Sequence, residues 1–447
     1  METRGNPVKF SNRFLLMVFA CLGLSGIGMT HAEEVPIGYV VSKANLSAVD
    51  NQTFEGHNLG AMITPVMRKM VEHGLTFKLA PTKPVVLAPS LLAATEKYSG
   101  GIKFDKVTRR ISGYVSGIPF PNLSDKDPDV ADKAIWNHFY SNLQLTDVIQ
   151  VSTRVYAIDG TKGVERSFDL VNSQLKLTHR NSNEPVAPKF IGDGSIYRKL
   201  LIFNLAPQDV AGTGAYIQRY DDGRLDDSWA YIKSIRRIRR MSGGTWMDPI
   251  PGTDLLNDDS ACHDAFPTWY PKYKLVSKQK ILAIMRGVAP GGPGHTIEKV
   301  LDIKNAPYWN PINQPWEPRE VLVIDAFPPE GHPYSRKRLY FDPQAQAMVA
   351  CDIYDKKGSL WKFYAVPHAT TLMADGQPGA GSNFVWMTDL QRMHSTYIDI
   401  LYHRQNEARA DPRDWAPETL SDSEKFSIPG LTKRYGPPTW DAPWVRR

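Results

Sequence analysis

Cys262, His263 and Asp264 follow one another in the chain and supply a thiol, a base and a carboxylate. Nucleophilic catalysis needs those groups converging in space, whereas neighbours on an extended chain point to opposite faces. No Gly-x-Ser-x-Gly elbow is present to lift a serine to a base. The stretch therefore reads as structural. Cys262 and Cys351 could form a bridge, worth about 4–5 kcal/mol in the chain-entropy model. Cys351 also sits in an apolar alternation that would pack a free thiol. The residues leave both states open.

Asp248, Asp254, Asp258, Asp259 and Asp264 crowd one segment and offer the hard oxygens that calcium takes. Their spacing matches no EF-hand loop, and aspartate is common in turns, so turn chemistry is the plainer reading. No His-Glu-x-x-His or Cys-x-x-Cys occurs, and Gly291-Gly292-Pro293-Gly294 lacks the Lys-Ser/Thr ending of a phosphate loop. We expect no metal and no cofactor.

Lys233, Arg236, Arg237, Arg239 and Arg240 form the one basic cluster. Guanidinium groups pair with anionic head groups, and they also serve as a solvated face. The tryptophans all lie at or beyond Trp136, among them Trp229, Trp246 and Trp361, with Tyr231 nearby. Such aromatics can line an apolar cavity, form a sugar platform, or simply fill a core. Candidate ligand-binding residues are therefore Trp229, Tyr231, Arg236, Arg237, Arg239, Arg240, Trp246 and Trp361.

The elements that must position these groups are mostly strands. Helical signals are confined to the first third: Thr64 caps Pro65, with Met67, Met70 and Val71 as the apolar stripe and Gly74 as the stop. A second helix is predicted from Asp127-Pro128, with Val130, Ala134, Ile135 and Phe139 on one face, and a short third over 91–98. From 148 the texture is β. Strands are predicted at 148–158, 164–177, 199–205, 215–220 and 228–239, then 273–285, 319–327, 338–341, 348–354, 360–366, 384–390 and 396–402. The isoleucines at 232, 235 and 238 also fit a helical period, which makes 228–239 the least defined of these. Many consecutive strands with short turns imply an antiparallel meander, and its edges and apolar face favour partial closure into a barrel. The fold class expected is mainly β with helices (α+β): a large, half-open, barrel-like antiparallel sheet covered by helices and long loops.

Two long segments, 245–271 and 289–318, are dense in Asp, Gly and Pro and read as functional or covering loops. The organisation expected is residues 1–32 as a signal peptide, 33–147 as a lid-like helical and extended region, 148–402 as the β domain and 403–447 as a surface tail. The leader reading rests on Arg4, Lys9 and Arg13, an apolar run over 14–27, and small residues at Thr30 and Ala32, which place cleavage after Ala32. Val18-Phe19-Ala20-Cys21 carries a bulky phenylalanine where a lipoprotein signal wants a small residue. The compartment expected is the bacterial periplasm.

Composition bounds the rest. The 447 residues carry 53 basic against 47 acidic side chains, a net +6, with 42% hydrophobic residues. That excludes wholesale disorder, and with export it argues against a nucleic-acid partner. Three cysteines are too few for a disulfide scaffold, and 34 prolines argue against a long helical bundle.

Several segments together carry a resemblance. They are Arg110-Ile111-Ser112-Gly113-Tyr114 with Gly117-Ile118-Pro119-Phe120-Pro121, Arg198-Lys199-Leu200-Leu201, and Ser228-Trp229-Ala230-Tyr231-Ile232 running through Arg240. Trp246-Met247-Asp248-Pro249-Ile250, Gly252-Thr253-Asp254, Arg338-x-Tyr340-x-Asp342 and Tyr354-Asp355-x-x-Gly358-x-Leu360-Trp361-Lys362 complete the set. The pattern resembles the proteobacterial domain-of-unknown-function family 1329, itself similar to lipoprotein carriers of the LolA and LolB type. The resemblance implies an incomplete antiparallel barrel with an apolar cavity for acyl chains, and a periplasmic carrier of a lipid or other hydrophobic molecule. It also implies partnership with an inner-membrane transporter of the resistance-nodulation-division class or an outer-membrane protein. This chain is far longer than those carriers. The competing expectation is a secreted hydrolase or glycan-binding protein using the Asp- and Trp-rich loops.

Overall fold

The computed structural model describes residues 32–141, 146–287, 296–382 and 384–438. The leader segment and Cys21 lie outside the described residues.

Fifteen strands form one large sheet. In chain order they are β1 (Val40–Val41), β2 (Phe77–Leu79), β3 (Val148–Asp159), β4 (Gly163–Lys176), β5 (Ile196–Ala206), β6 (Gly214–Tyr220), β7 (Asp227–Ile232) and β8 (Arg237–Arg240). There follow β9 (Lys272–Ala283), β10 (Pro315–Phe327), β11 (Arg336–Asp342), β12 (Ala347–Tyr354), β13 (Leu360–Ala365), β14 (Phe384–Asp389) and β15 (His394–Gln405). Their order is β8-β7-β6-β5-β4-β3-β15-β14-β13-β12-β11-β10-β2-β1, with β9 also on β10. Two six-stranded antiparallel meanders, β3 to β8 and β10 to β15, are thus zipped together where β15 runs against β3 from Ile149 to Asp159. Within this sheet, among the described residues, the one parallel pairing joins Pro315 and Trp316 of β10 to β2. The sheet stays open, with β8 as one free edge and no closure into a barrel.

Three helices form where the sequence signals put them. A fourth, Ile428–Tyr435, lies in the tail, outside the first third to which helices are expected to be confined, with the Ser427 side chain accepting from the Gly430 amide. In α1 (Pro65–Glu72) the Thr64 side chain accepts from the Met67 amide, and Met67, Met70 and Val71 are buried. Helix α2 spans Pro89–Tyr98 and α3 spans Val130–Ser141. No helix among the described residues is long and apolar enough to cross a membrane.

Both faces of the sheet are covered. Against one face of β10 to β14 pack α3 (Val130, Ala134, Ile135) and the segment from Trp246 to Tyr270, meeting Ile324, Leu339, Cys351 and Tyr364. On the other face the N-terminal region, with Val41, Leu59, Met70 and Phe77, covers Val323, Phe363 and Trp386. Strand β12 is accordingly buried on both sides, so Ala350 and Asp352 face protein and not solvent.

Three further features depart from the sequence-based picture. The stretch 228–239 is a hairpin, because a 3-10 turn at Lys233–Ile235 and a left-handed Arg236 (φ 49°) reverse the chain. An unexpected two-stranded hairpin, His368–Leu372 with Pro378–Ser382, stands between β13 and β14. The tail beyond His403 does lie on the sheet, but as a packed layer: Trp415, Leu420, Phe426 and Leu431 are buried against Leu201, Phe203 and Tyr216.

Candidate functional site

One stretch of the sheet is not filled by its cover. The face of β3 to β6 that continues into β14 and β15 borders a cavity of about 260 Å³, roofed by α3 and residues 245–264. Strand alternation explains the lining. Cross-strand pairing sets Ile149, Gln174, Leu200 and Ile217 in one row across β3, β4, β5 and β6. The neighbouring row runs from His403 of β15 through Val151, Asn172 and Ile202. The intervening residues Val171, Leu201 and Tyr216 turn to the opposite core. Leu170, Leu200, Ile202, Ile217 and Ile398 are only half-buried, although they sit on the inner side of a covered sheet. Aliphatic side chains left partly uncovered around a partly enclosed space form a surface for apolar ligand.

The polar groups at the cavity are tied to one another. Arg219 makes a bidentate pair with Asp226 (Nε to Oδ1 3.0 Å, Nη2 to Oδ2 2.7 Å) and reaches Asp264 Oδ2 at 3.0 Å. Arg198 pairs with Asp264 and donates to Gln174 Oε1 at 3.0 Å. Burial alone would lift the Asp264 carboxyl, but the two guanidinium groups outweigh it and hold it below its usual value. Two arginines against two aspartates leave this corner balanced. His138, His263 and His403 also line the space, and burial lowers them to about 4, 3 and 3. All three imidazoles are neutral at neutral pH, so the cavity presents aliphatic walls with uncharged or compensated polar groups.

The Cys262-His263-Asp264 stretch splits three ways. Asp264 goes to the arginines, His263 Nε2 meets Tyr273 OH at 2.9 Å, and Cys262 is a free thiol buried beside Cys351. No triad assembles. Four of the five crowded aspartates are likewise engaged, and Asp248 is exposed. Asp258 and Asp259 pair with Lys337 at 2.9 and 2.8 Å, and Asp254 accepts from Thr396 and meets His394 Nδ1 at 2.7 Å. Among the described residues no group of His, Cys, Asp and Glu is arranged to hold a metal.

Of the eight residues singled out in the sequence, Trp246 alone lines the cavity. Trp229 and Tyr231 pack on the opposite face near the C-terminal layer. Trp361 donates to Asp389 at 2.9 Å at the rim of the other core. Arg236, Arg237, Arg239 and Arg240 are exposed on the β7–β8 hairpin, at the open edge of the sheet. Segment 289–318 does not roof the cavity: its described part buries Ile297, Leu301, Trp309 and Trp316 in the N-terminal core. The residues that sequence reasoning missed are Arg198, Arg219 and the aliphatic rows of β3 to β6. Their period-two alternation was legible, but nothing local marked which face stays half-empty.

Comparison with known proteins agrees with the motif resemblance. The family model described as a protein of unknown function, DUF1329, matches residues 40–424. The chain belongs to the DUF1329 family. An uncharacterized protein of Pseudomonas aeruginosa is 25% identical over 252 residues, 55% of this chain and 51% of that protein. The chain thus spans about half the length of that curated relative. A candidate outer-membrane lipoprotein-sorting protein domain from Vibrio parahaemolyticus superposes with a TM-score of 0.43 at 15% identity, covering 63% of this chain and 93% of that one. A DUF1329 family protein from Desulfovibrio piger gives 0.42 at 17% identity (62% and 93%). A LolA superfamily protein from Nitrosomonas europaea gives 0.37 at 11% (62% and 94%).

Proposed function

We propose that this DUF1329 protein is a non-enzymatic periplasmic carrier that shields a lipid or another apolar molecule between the sheet and its roof. The observation that carries the reading is the half-buried aliphatic wall, Leu170, Leu200, Ile202, Ile217 and Ile398, around a partly enclosed space. Covering such a wall contributes about 25 cal/mol per Å² and needs no specific chemistry. A space of about 260 Å³ exceeds the roughly 150 Å³ of a cavity that takes benzene. It suits one chain segment or a compact apolar group. The balanced Arg–Asp corner favours a cargo whose buried part is uncharged. The basic, apolar and small-residue order of the first 32 residues supports export. Partnership with an inner-membrane exporter or an outer-membrane protein belongs to the same reading and rests on the family resemblance. Asp258, Asp259 and Asp264, buried carboxylates that a hydrolase reading would use, are taken up in ion pairs with Lys337, Arg198 and Arg219, which weighs against that alternative.

Native mass spectrometry and organic extraction of gently purified protein test the proposal, together with a Leu200→Asp variant. The wild type should yield an apolar molecule, and an added fatty acid should raise its melting temperature. The variant should lose both responses. An empty wild-type extract and no stabilisation by added fatty acid would overturn the carrier reading.

A further inference from the structure

The β7–β8 hairpin combines two features that ordinary surfaces keep apart. Ile232, Ile235 and Met241 are 39%, 48% and 42% exposed. Between them stand Lys233, Arg236, Arg237, Arg239 and Arg240, with no acidic residue in the same run. Arg240 is paired with Asp227, and the Lys233 ammonium donates to the Gln208 carbonyl. Arg236, Arg237 and Arg239 form no ion pair among the described residues. They ring a shallow depression with Tyr231 and Ser421, where Glu418 is the single carboxylate.

Edge strands are commonly blunted by charge, which would explain cations on β8 but not uncovered isoleucines at the turn. A nucleic acid would use the cations and leave the isoleucines in water. An anionic bilayer uses both, since phosphates meet guanidinium groups while short aliphatic side chains enter the head-group and acyl boundary. The sheet also links this edge to the cavity. Pairing register sets Ile202, Ala215, Ala230 and Arg239 in one row on the same face.

We propose that the β7–β8 hairpin docks the protein on an anionic phospholipid membrane surface. Ile232 and Ile235 enter the interface, and Arg236, Arg237 and Arg239 meet lipid phosphates. The proposal goes beyond the carrier reading and needs no cargo to be present.

Flotation of the full protein with vesicles tests it. One set contains phosphatidylcholine alone, the other phosphatidylcholine mixed with phosphatidylglycerol. Each cation near such a surface is worth about fivefold in affinity. An Arg236→Glu, Arg237→Glu, Arg239→Glu variant should therefore lose at least about a hundredfold on the mixed vesicles. Ile235→Ser should lose several-fold while keeping the wild-type sensitivity to salt. Both variants change exposed side chains and should melt with the wild type. No flotation with the mixed vesicles, equal flotation with both sets, or flotation that neither variant alters would each overturn the proposal. Because cargo extraction is a separate measurement, failure here leaves the carrier reading standing, and the reverse holds too.

Discussion

Lys337 Nζ lies 2.9 Å from Asp258 Oδ2 with both side chains fully buried, and this pair ties β11 to the segment that roofs the cavity. The same ammonium donates to the carbonyls of Asp258 and Cys262 at 3.1 Å. Tyr270 and Tyr334 hydroxyls complete the shells of Asp258 (2.5 Å) and Asp259 (2.7 Å). Removing one partner strands a charge away from water. Lys337→Met should destabilise the protein by about 3–5 kcal/mol, read from denaturant midpoints at neutral pH. A variant as stable as wild type would show that the roof is held by packing alone.

Acid should act on the same cluster. Burial pushes the Asp258 carboxyl up, but Lys337, with His332 and His263, outweighs it and leaves it far below the usual carboxylate range. A depressed carboxyl contributes stability that is full above its unfolded pKa of about 4 and is lost as pH falls through the folded value. The Asp258 contribution should therefore be lost progressively below about pH 4, beneath the loss that the buried neutral histidines already give below about pH 6.5. Asp258→Asn should flatten that part of a pH series of urea midpoints.

The opposite sign is expected at His394. Its bond to Asp254 raises the imidazole above its ordinary value against partial burial. A raised histidine stabilises fully below its unfolded pKa of about 6.5 and loses that contribution as pH climbs through the folded value. The buried, lowered histidines make stability rise with pH over the same range, so His394→Gln should steepen the rise in melting temperature from slightly acidic to slightly alkaline buffer. A rise of unchanged slope in the variant would show that the His394–Asp254 bond contributes nothing to it.

How much of this was legible in the sequence differs by element. Thr64-Pro65 fixed the start of α1 because capping is local. The strands of both meanders followed from β-branched and aromatic runs. The turn at Lys233–Ile235 was hidden, since the left-handed residue is an arginine and not a glycine. The hairpin at His368–Ser382 was hidden too, because Thr370, Thr371, Gly379 and Gly381 give no apolar alternation. The cavity was the least visible feature. Leu200 and Leu201 are identical in type, and only the non-local placing of the roof and the C-terminal layer makes one a cavity wall and the other core.

Cys262 and Cys351 make a chemical prediction. Both are free and fully buried, and burial with the neighbouring Cys262 thiol pushes the Cys351 thiol well above its usual pKa. Reactivity requires the thiolate and access. Native, reduced protein lacking residues 1–32, and with them Cys21, should resist iodoacetamide and take up two equivalents only after unfolding, as intact mass would show. Rapid labelling of the folded protein would mean that the roof over Cys262 opens readily.

The two inner glycines of the His368–Ser382 hairpin should respond unequally to the same substitution. A Cβ on Gly381 would meet His403 Nε2 and Cε1 at 2.6 Å, and on Gly379 it would meet Met373 Cγ and Sδ at 3.0 and 3.1 Å. The His403 ring is a stiff, buried imidazole that borders the cavity, so yielding means moving into that space. Met373 is a flexible thioether that can rotate aside. Gly381→Ala should therefore cost about 1–3 kcal/mol through overpacking, whereas Gly379→Ala should cost well under half of that. The displaced ring must also move toward the cavity, so Gly381→Ala should weaken the stabilisation that an added fatty acid gives. Gly379→Ala should leave it intact. Equal costs for the two glycines, or full fatty-acid stabilisation in Gly381→Ala, would show that His403 yields and that the hairpin does not shape the cavity floor.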